Sequence, residues 1–96
     1  NPEELERYAD SVLGEIAAYD KQYNTEFLKT IYYYLDQECN LYQTARILNI
    51  SISGMRYRLN RMKEKFDLNL NDSSLRFNLR LALEFYLVFG KWSLQQ

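Results

Sequence analysis

Apolar residues recur at three- and four-residue spacing along most of this chain, and that period predicts helices. Leu5, Tyr8, Ala9, Val12, Leu13, Ile16 and Tyr19 form the first stripe and carry a helix to about Tyr23. Asn1-Pro2-Glu3-Glu4 reads as its start. Asn serves as the cap, Pro takes the first helical position, and the acids face the positive end of the helix dipole. Asn24 or Thr25 is expected to cap a second helix, with Phe27, Leu28, Ile31, Tyr34 and Leu35 facing inward. Tyr32 and Tyr33 add aromatic bulk around that face, and Glu38-Cys39-Asn40 breaks the pattern.

Three shorter-range signals follow. Tyr42 to Leu48 predicts a short helix with Ala45 and Leu48 inward, and Asn49-Ile50-Ser51 is a tight connection. From Ser51 onward Ile52, Met55, Leu59, Met62 and Phe66 fall in a narrow arc at about 100° per residue, a core stripe on a longer helix running to Phe66. Asp67 to Asp72 reads as a polar loop anchored by Leu68 and Leu70, and Asp72 or Ser73 caps a last helix to about Phe89 or Gly90. The expected fold is all-α, one compact domain over residues 1–96 of about five helices containing a helix-turn-helix.

Composition supports helices and narrows the chemistry. Three glycines and one proline, Pro2, leave few breakers for a turn-rich fold. One cysteine, Cys39, cannot form an internal disulfide, which favours a reducing, cytoplasmic setting. No apolar run approaches the roughly 18 residues of a membrane span, so no membrane partner is expected. The chain opens at Asn1 and is expected to be a piece of a longer polypeptide. With no histidine, one cysteine and no glycine-rich phosphate loop, neither an enzyme nor a Cys/His metal site is expected, and no cofactor is implied.

The formal net charge is −1, but its distribution is uneven. Residues 1–38 hold nine acids and three bases; residues 39–96 hold four acids and nine bases. Within 46–65 stand Arg46, Arg56, Arg58, Arg61, Lys63 and Lys65 against a single acid, Glu64. A local basic segment in a neutral chain suggests an anion-binding face, although a solvated helix face has the same composition.

A short helix, a three-residue turn and a longer basic helix are the parts of a helix-turn-helix. Ala45 is the small residue that lets the two helices approach, and Ile50 can plug the gap between them. The outward face of the longer helix carries Ser53, Tyr57, Asn60, Arg61 and Glu64, flanked by Gly54, Arg56 and Arg58. In this motif the N-terminal part of the recognition helix enters the major groove, which places Ser53, Gly54, Arg56 and Tyr57 nearest the bases. Arginine is the commonest reader of guanine there. Arg58, Arg61 and Lys63 are placed for phosphates, and Gln43 and Thr44 can hold another at the start of the short helix. Arg46 and Ser51 complete the candidate DNA-binding set.

The chain also resembles the C-terminal helix-turn-helix domain of PucR-type regulators, the purine-catabolism and sugar-diacid group. The resemblance rests on Tyr8-Ala9-Asp10-Ser11-Val12-Leu13-Gly14, Tyr19-Asp20, Phe27-Leu28-Lys29-Thr30, Asn40, Thr44-Ala45-Arg46-Ile47-Leu48 and Met55-Arg56-Tyr57-Arg58-Leu59. Leu68-Asn69-Leu70, Asp72, Arg76 and Leu81-Ala82-Leu83 continue it, so it covers almost the whole chain. It implies an all-helical domain that binds double-stranded DNA at the end of a bacterial regulator, with an upstream effector-sensing domain in the same polypeptide. One segment departs: where the family typically has His-Arg-Asn-Thr, this chain has Ser51-Ile52-Ser53-Gly54. That removes an Arg and an Asn from the first turn of the recognition helix.

The last helix is apolar on two sides. Leu75, Leu79, Ala82, Leu83, Tyr86 and Phe89 make one stripe; Phe77, Leu81, Phe85, Val88 and Trp92 make a second. Two apolar faces call for burial on both. The second face therefore meets either the first helix or another copy of the protein, and a homodimer would suit paired DNA half-sites. Two functional readings stay open: sequence-specific DNA binding, or an α-helical interaction or dimerisation module with a degenerate helix-turn-helix. The acidic N-terminal half, a pI of about 5.4 and the altered first turn favour the second.

Overall fold

The computed structural model describes residues 1–95 and contains five helices: α1 (Pro2–Tyr23), α2 (Phe27–Asp36), α3 (Leu41–Leu48), α4 (Ile52–Phe66) and α5 (Ser73–Val88). Four of the five begin on the side chain of the residue just before them. Asn1 accepts from the amide of Glu4, Asn40 from Gln43, Ser51 from Gly54, and Asp72 from Ser74 and Leu75. Each such bond satisfies an amide that the helix leaves unpaired.

α2 departs from this rule and corrects the expected cap. Asn24 lies in the left-handed region (φ 55°) and closes α1, while Glu26 at the cap position makes no capping bond. The capping group comes from α1 instead: Asp20 accepts from the amides of Phe27 at 2.8 Å and Leu28 at 2.9 Å, and also from the Thr25 hydroxyl. One carboxylate thus ends the α1–α2 corner and fixes the direction of α2.

The core gathers Ala9, Leu13 and Ile16 of α1, Phe27, Leu28 and Ile31 of α2, Met62 of α4, and Leu79, Ala82, Leu83 and Tyr86 of α5. Leu68, one of the two anchors expected in the α4–α5 loop, is buried; Leu70 packs partly against the core. α1 and α5 make the most extensive helix pairing, and α3 packs on α4 and α2. The second apolar face of α5 is therefore divided. Phe85 is half-buried, with Tyr8 of α1 meeting it edge-on at 6.3 Å, whereas Phe77 and Val88 stay exposed and Leu81 is intermediate.

Trp92 leaves that face altogether. α5 ends at Val88 and Gly90 takes a φ of 68°, so the chain turns and Trp92 is buried with its ring 5.9 Å from that of Tyr32. A side chain already covered within one copy offers little surface to a second. The same turn brings Lys91 onto Asp10, at 2.8 and 3.0 Å to its two oxygens, beside the Tyr86 hydroxyl at 2.7 Å. Hydrogen bonds from Lys91 and then Tyr86 hold the Asp10 carboxyl below its ordinary pKa, while burial and the Asp10 bond push the Tyr86 phenol upward.

Candidate nucleic-acid interface

The α3–turn–α4 unit is built by its own residues. Asn49 takes a left-handed φ of 56°, and the amide of Ile50 reaches back to the carbonyl of Ala45 at 3.0 Å. This pattern closes a helix with a sharp change of direction, which an Asn tolerates better than a β-branched residue. Ser51 then caps α4. Ala45 and Met55 are fully buried, as the close approach of α3 and α4 requires.

The structure divides the candidate cations of α4 into two kinds. Arg56 is exposed and has no side-chain hydrogen bond or ion pair among the described residues, and the same is true of Lys63. Tyr57, beside Arg56, is 66% exposed. Ser53 is exposed, its hydroxyl 3.2 Å from that of Ser51, and Asn60 is exposed as well. Gly54 is half-covered: an added Cβ would stand 3.1 Å from the Ser51 hydroxyl oxygen.

Arg58 and Arg61 are of the second kind. Arg58 donates from Nη1 to the Thr30 hydroxyl at 2.9 Å and lies 3.4 Å from Glu26 through Nη2. Arg61 donates to the Tyr19 phenol at 3.2 Å. Both guanidiniums are tethered to the α1–α2 corner, although their backbone positions lie on the basic helix. Spacing along α4 could not reveal these partners, because Tyr19 and Thr30 belong to other helices and Glu26 stands at the start of α2.

On α3, Gln43 and Arg46 are exposed, but Thr44 is not. Thr44 is fully buried and its hydroxyl donates to the carbonyl of Asn40 at 2.7 Å. Its side chain is therefore internal rather than presented to a phosphate. The Asn40 side chain already takes the amide of Gln43, leaving fewer free amides at the start of α3 than its sequence suggests.

Between the α1–α2 corner and the first half of α4 lies an open cleft of about 660 Å³, bordered by Tyr19, Glu26, Ser51, Tyr57, Arg58 and Arg61. Two bound arginines, a carboxylate and an exposed phenol thus meet beside the first turn of α4. Cys39 lies elsewhere, half-buried after α2, where burial pushes its thiol pKa upward and keeps it protonated. Among the described residues there is no cluster of His, Cys, Asp and Glu able to hold a metal, and no helix is long and apolar enough to cross a membrane.

The PucR C-terminal helix-turn-helix domain family matches residues 27–85 of the chain. The purine catabolism regulatory protein of Bacillus subtilis (strain 168) is 31% identical over 81 residues, covering 84% of this chain and 15% of that protein. The DNA-binding transcriptional activator AdeR of the same organism is 21% identical over 72 residues, covering 75% of this chain and 17% of the activator. The chain spans less than a fifth of the length of either relative. No solved structure matches it at a significant level.

Proposed function

The chain belongs to the PucR C-terminal helix-turn-helix family, and from that membership we propose that it binds double-stranded DNA in a sequence-specific manner, with α4 in the major groove. The observation that carries this reading is the exposed, unpaired Arg56 on the N-terminal half of α4, next to exposed Ser53 and Tyr57. A guanidinium there is free to make two bonds to one guanine. Gln43, Arg46 and Lys63, all exposed, supply phosphate contacts that fix the register of the domain without choosing sequence. Ser51 contributes as the cap that orients the first turn, and Gly54 as a point where the α4 backbone comes close to the duplex.

In this reading the domain is the promoter-holding part of a longer cytoplasmic bacterial regulator. The curated relatives are several times longer than this chain, and an upstream effector-sensing segment in the same polypeptide belongs to the same proposal. Two copies pair through the exposed residues of α5, Phe77 and Val88, with Leu81 and Phe85 beside them; their uncovered apolar surface supports that arrangement.

DNA binding measured at several salt concentrations tests the proposal, with the regulator's own upstream region set against a scrambled duplex. Several phosphate contacts make affinity fall steeply with salt. Arg56→Ala should cost about 1–3 kcal/mol on the specific site and relax base choice at one position, with little change in stability. Absence of binding to either duplex at low salt, from a folded domain, would favour the interaction-module reading instead.

A further inference from the structure

We propose that the cleft beside the first half of α4 seats one DNA phosphate, and that Glu26 is an internal competitor which that phosphate must displace from Arg58. The inference rests on the DNA-binding reading and adds to it a residue outside the helix-turn-helix. Arg58 has two anchors of different kinds. Thr30 is fully buried, donates its own hydroxyl to the carbonyl of Glu26 at 2.7 Å, and accepts from Arg58 at 2.9 Å. That neutral bond fixes the direction of the guanidinium without using its charge.

Among the described residues the charge is met only by Glu26, at 3.4 Å, from a side chain 44% exposed. An ion pair this long and this solvated is weak and easily exchanged. A phosphate offers the same planar fork a stronger, bidentate partner. Glu26 also has a second cation at hand, Lys29 at 3.7 Å on the same turn, so the displaced carboxylate is not left unpaired. Tyr57 and Arg61 border the same cleft, and their hydroxyl and guanidinium suit a phosphate oxygen equally well.

The consequence is a restraint on binding. While Glu26 sits against Arg58 it offsets part of the cation's charge and repels any phosphate that enters. Base contacts made elsewhere on α4 are then needed to draw the domain down, so indiscriminate attachment to DNA is held back. The carboxylate acts as negative charge placed against the wrong partner, a recognised route to selectivity.

The test compares wild type, Glu26→Gln, Arg58→Gln and the double variant, each checked for cooperative thermal unfolding, on a mixed-sequence DNA duplex across a salt series. Glu26→Gln keeps the size of the side chain and is expected to bind about threefold to tenfold tighter. Arg58→Gln binds more weakly, and the gain from Glu26→Gln disappears in the Arg58→Gln background, the coupling that a direct exchange requires. Wild type that binds while Glu26→Gln binds no better overturns the inference and leaves DNA binding standing. A gain that persists in the double variant also overturns it, because a general loss of negative charge then suffices. Absence of binding by all four folded proteins at low salt overturns both the inference and the DNA-binding reading beneath it.

Discussion

The carboxylate of Asp20 accepts the backbone amide of Phe27 at 2.8 Å, so the last turn of α1 caps the first turn of α2. The same group takes Leu28 at 2.9 Å and the Thr25 hydroxyl. Two amides that would otherwise be orphaned beside the core are satisfied, and the negative charge lies at the positive end of the α2 dipole. Asp20→Ala should therefore cost about 1–2 kcal/mol in denaturant unfolding. Asp20→Asn, which still offers an acceptor, should cost clearly less. Equal losses in the two variants would mean that the cap contributes through something other than its acceptor oxygens.

Thr44 separates an interior residue from a DNA contact. Its hydroxyl serves the carbonyl of Asn40, and its side chain is fully buried. Thr44→Val keeps the branched shape and removes only that bond, so stability should fall by about 0.5–1.5 kcal/mol. Affinity for DNA, measured where the variant is fully folded, should stay at the wild-type value. A selective loss of affinity with stability intact would show that the hydroxyl reaches a phosphate after all.

Gly54 sets helix propensity against space. Alanine in a helix interior is favoured over glycine by about 1 kcal/mol. The added methyl group would meet the Ser51 oxygen at 3.1 Å and the Ile50 Cβ at 3.9 Å, and that oxygen is the cap acceptor for the residue's own amide. Gly54→Ala should stabilise the domain by less than the full propensity difference, as read from the shift in denaturant midpoint. A variant more stable yet weaker on DNA would mark this residue as a point of close backbone approach. Undiminished affinity would remove that role.

Asp10 ties both ends of the fold together through Tyr86 and Lys91. Its pKa lies below the ordinary value of 3.8, chiefly because of the Lys91 hydrogen bond. A depressed folded-state pKa contributes stability that is complete above the unfolded value and is lost as pH falls through the folded one. Asp10→Asn should thus lower the melting temperature near neutral pH. The gap to wild type should shrink as the medium is acidified below about pH 4, where wild type loses the charge as well. A gap that is constant down to strongly acidic pH would place the effect in packing rather than in the ionised carboxylate.

Much of the domain could be read along the chain. The apolar periods placed all five helices, and Asn1 and Asp72 were readable as caps because a cap bond spans only two or three residues. The Ile52–Phe66 stripe, the Asn49–Ser51 turn and the small Ala45 marked the helix-turn-helix for the same local reason. The exposure of Arg56 was also legible, since its place on the flank of the outward face follows from the turn of its own helix.

Partnerships between helices were not. Arg58 and Arg61 read along the chain as cations open to phosphates, yet Thr30, Glu26 and Tyr19 engage them across distances of 28, 32 and 42 residues. Thr44 looked like a surface residue, and Trp92 seemed to extend a helical face that ends four residues earlier. Period and capping are set by neighbours on one helix, so the sequence alone determined the helices and their basic outer face. Which cation stays free depends on where other helices cross and which groups they bring, and only the tertiary structure decided that.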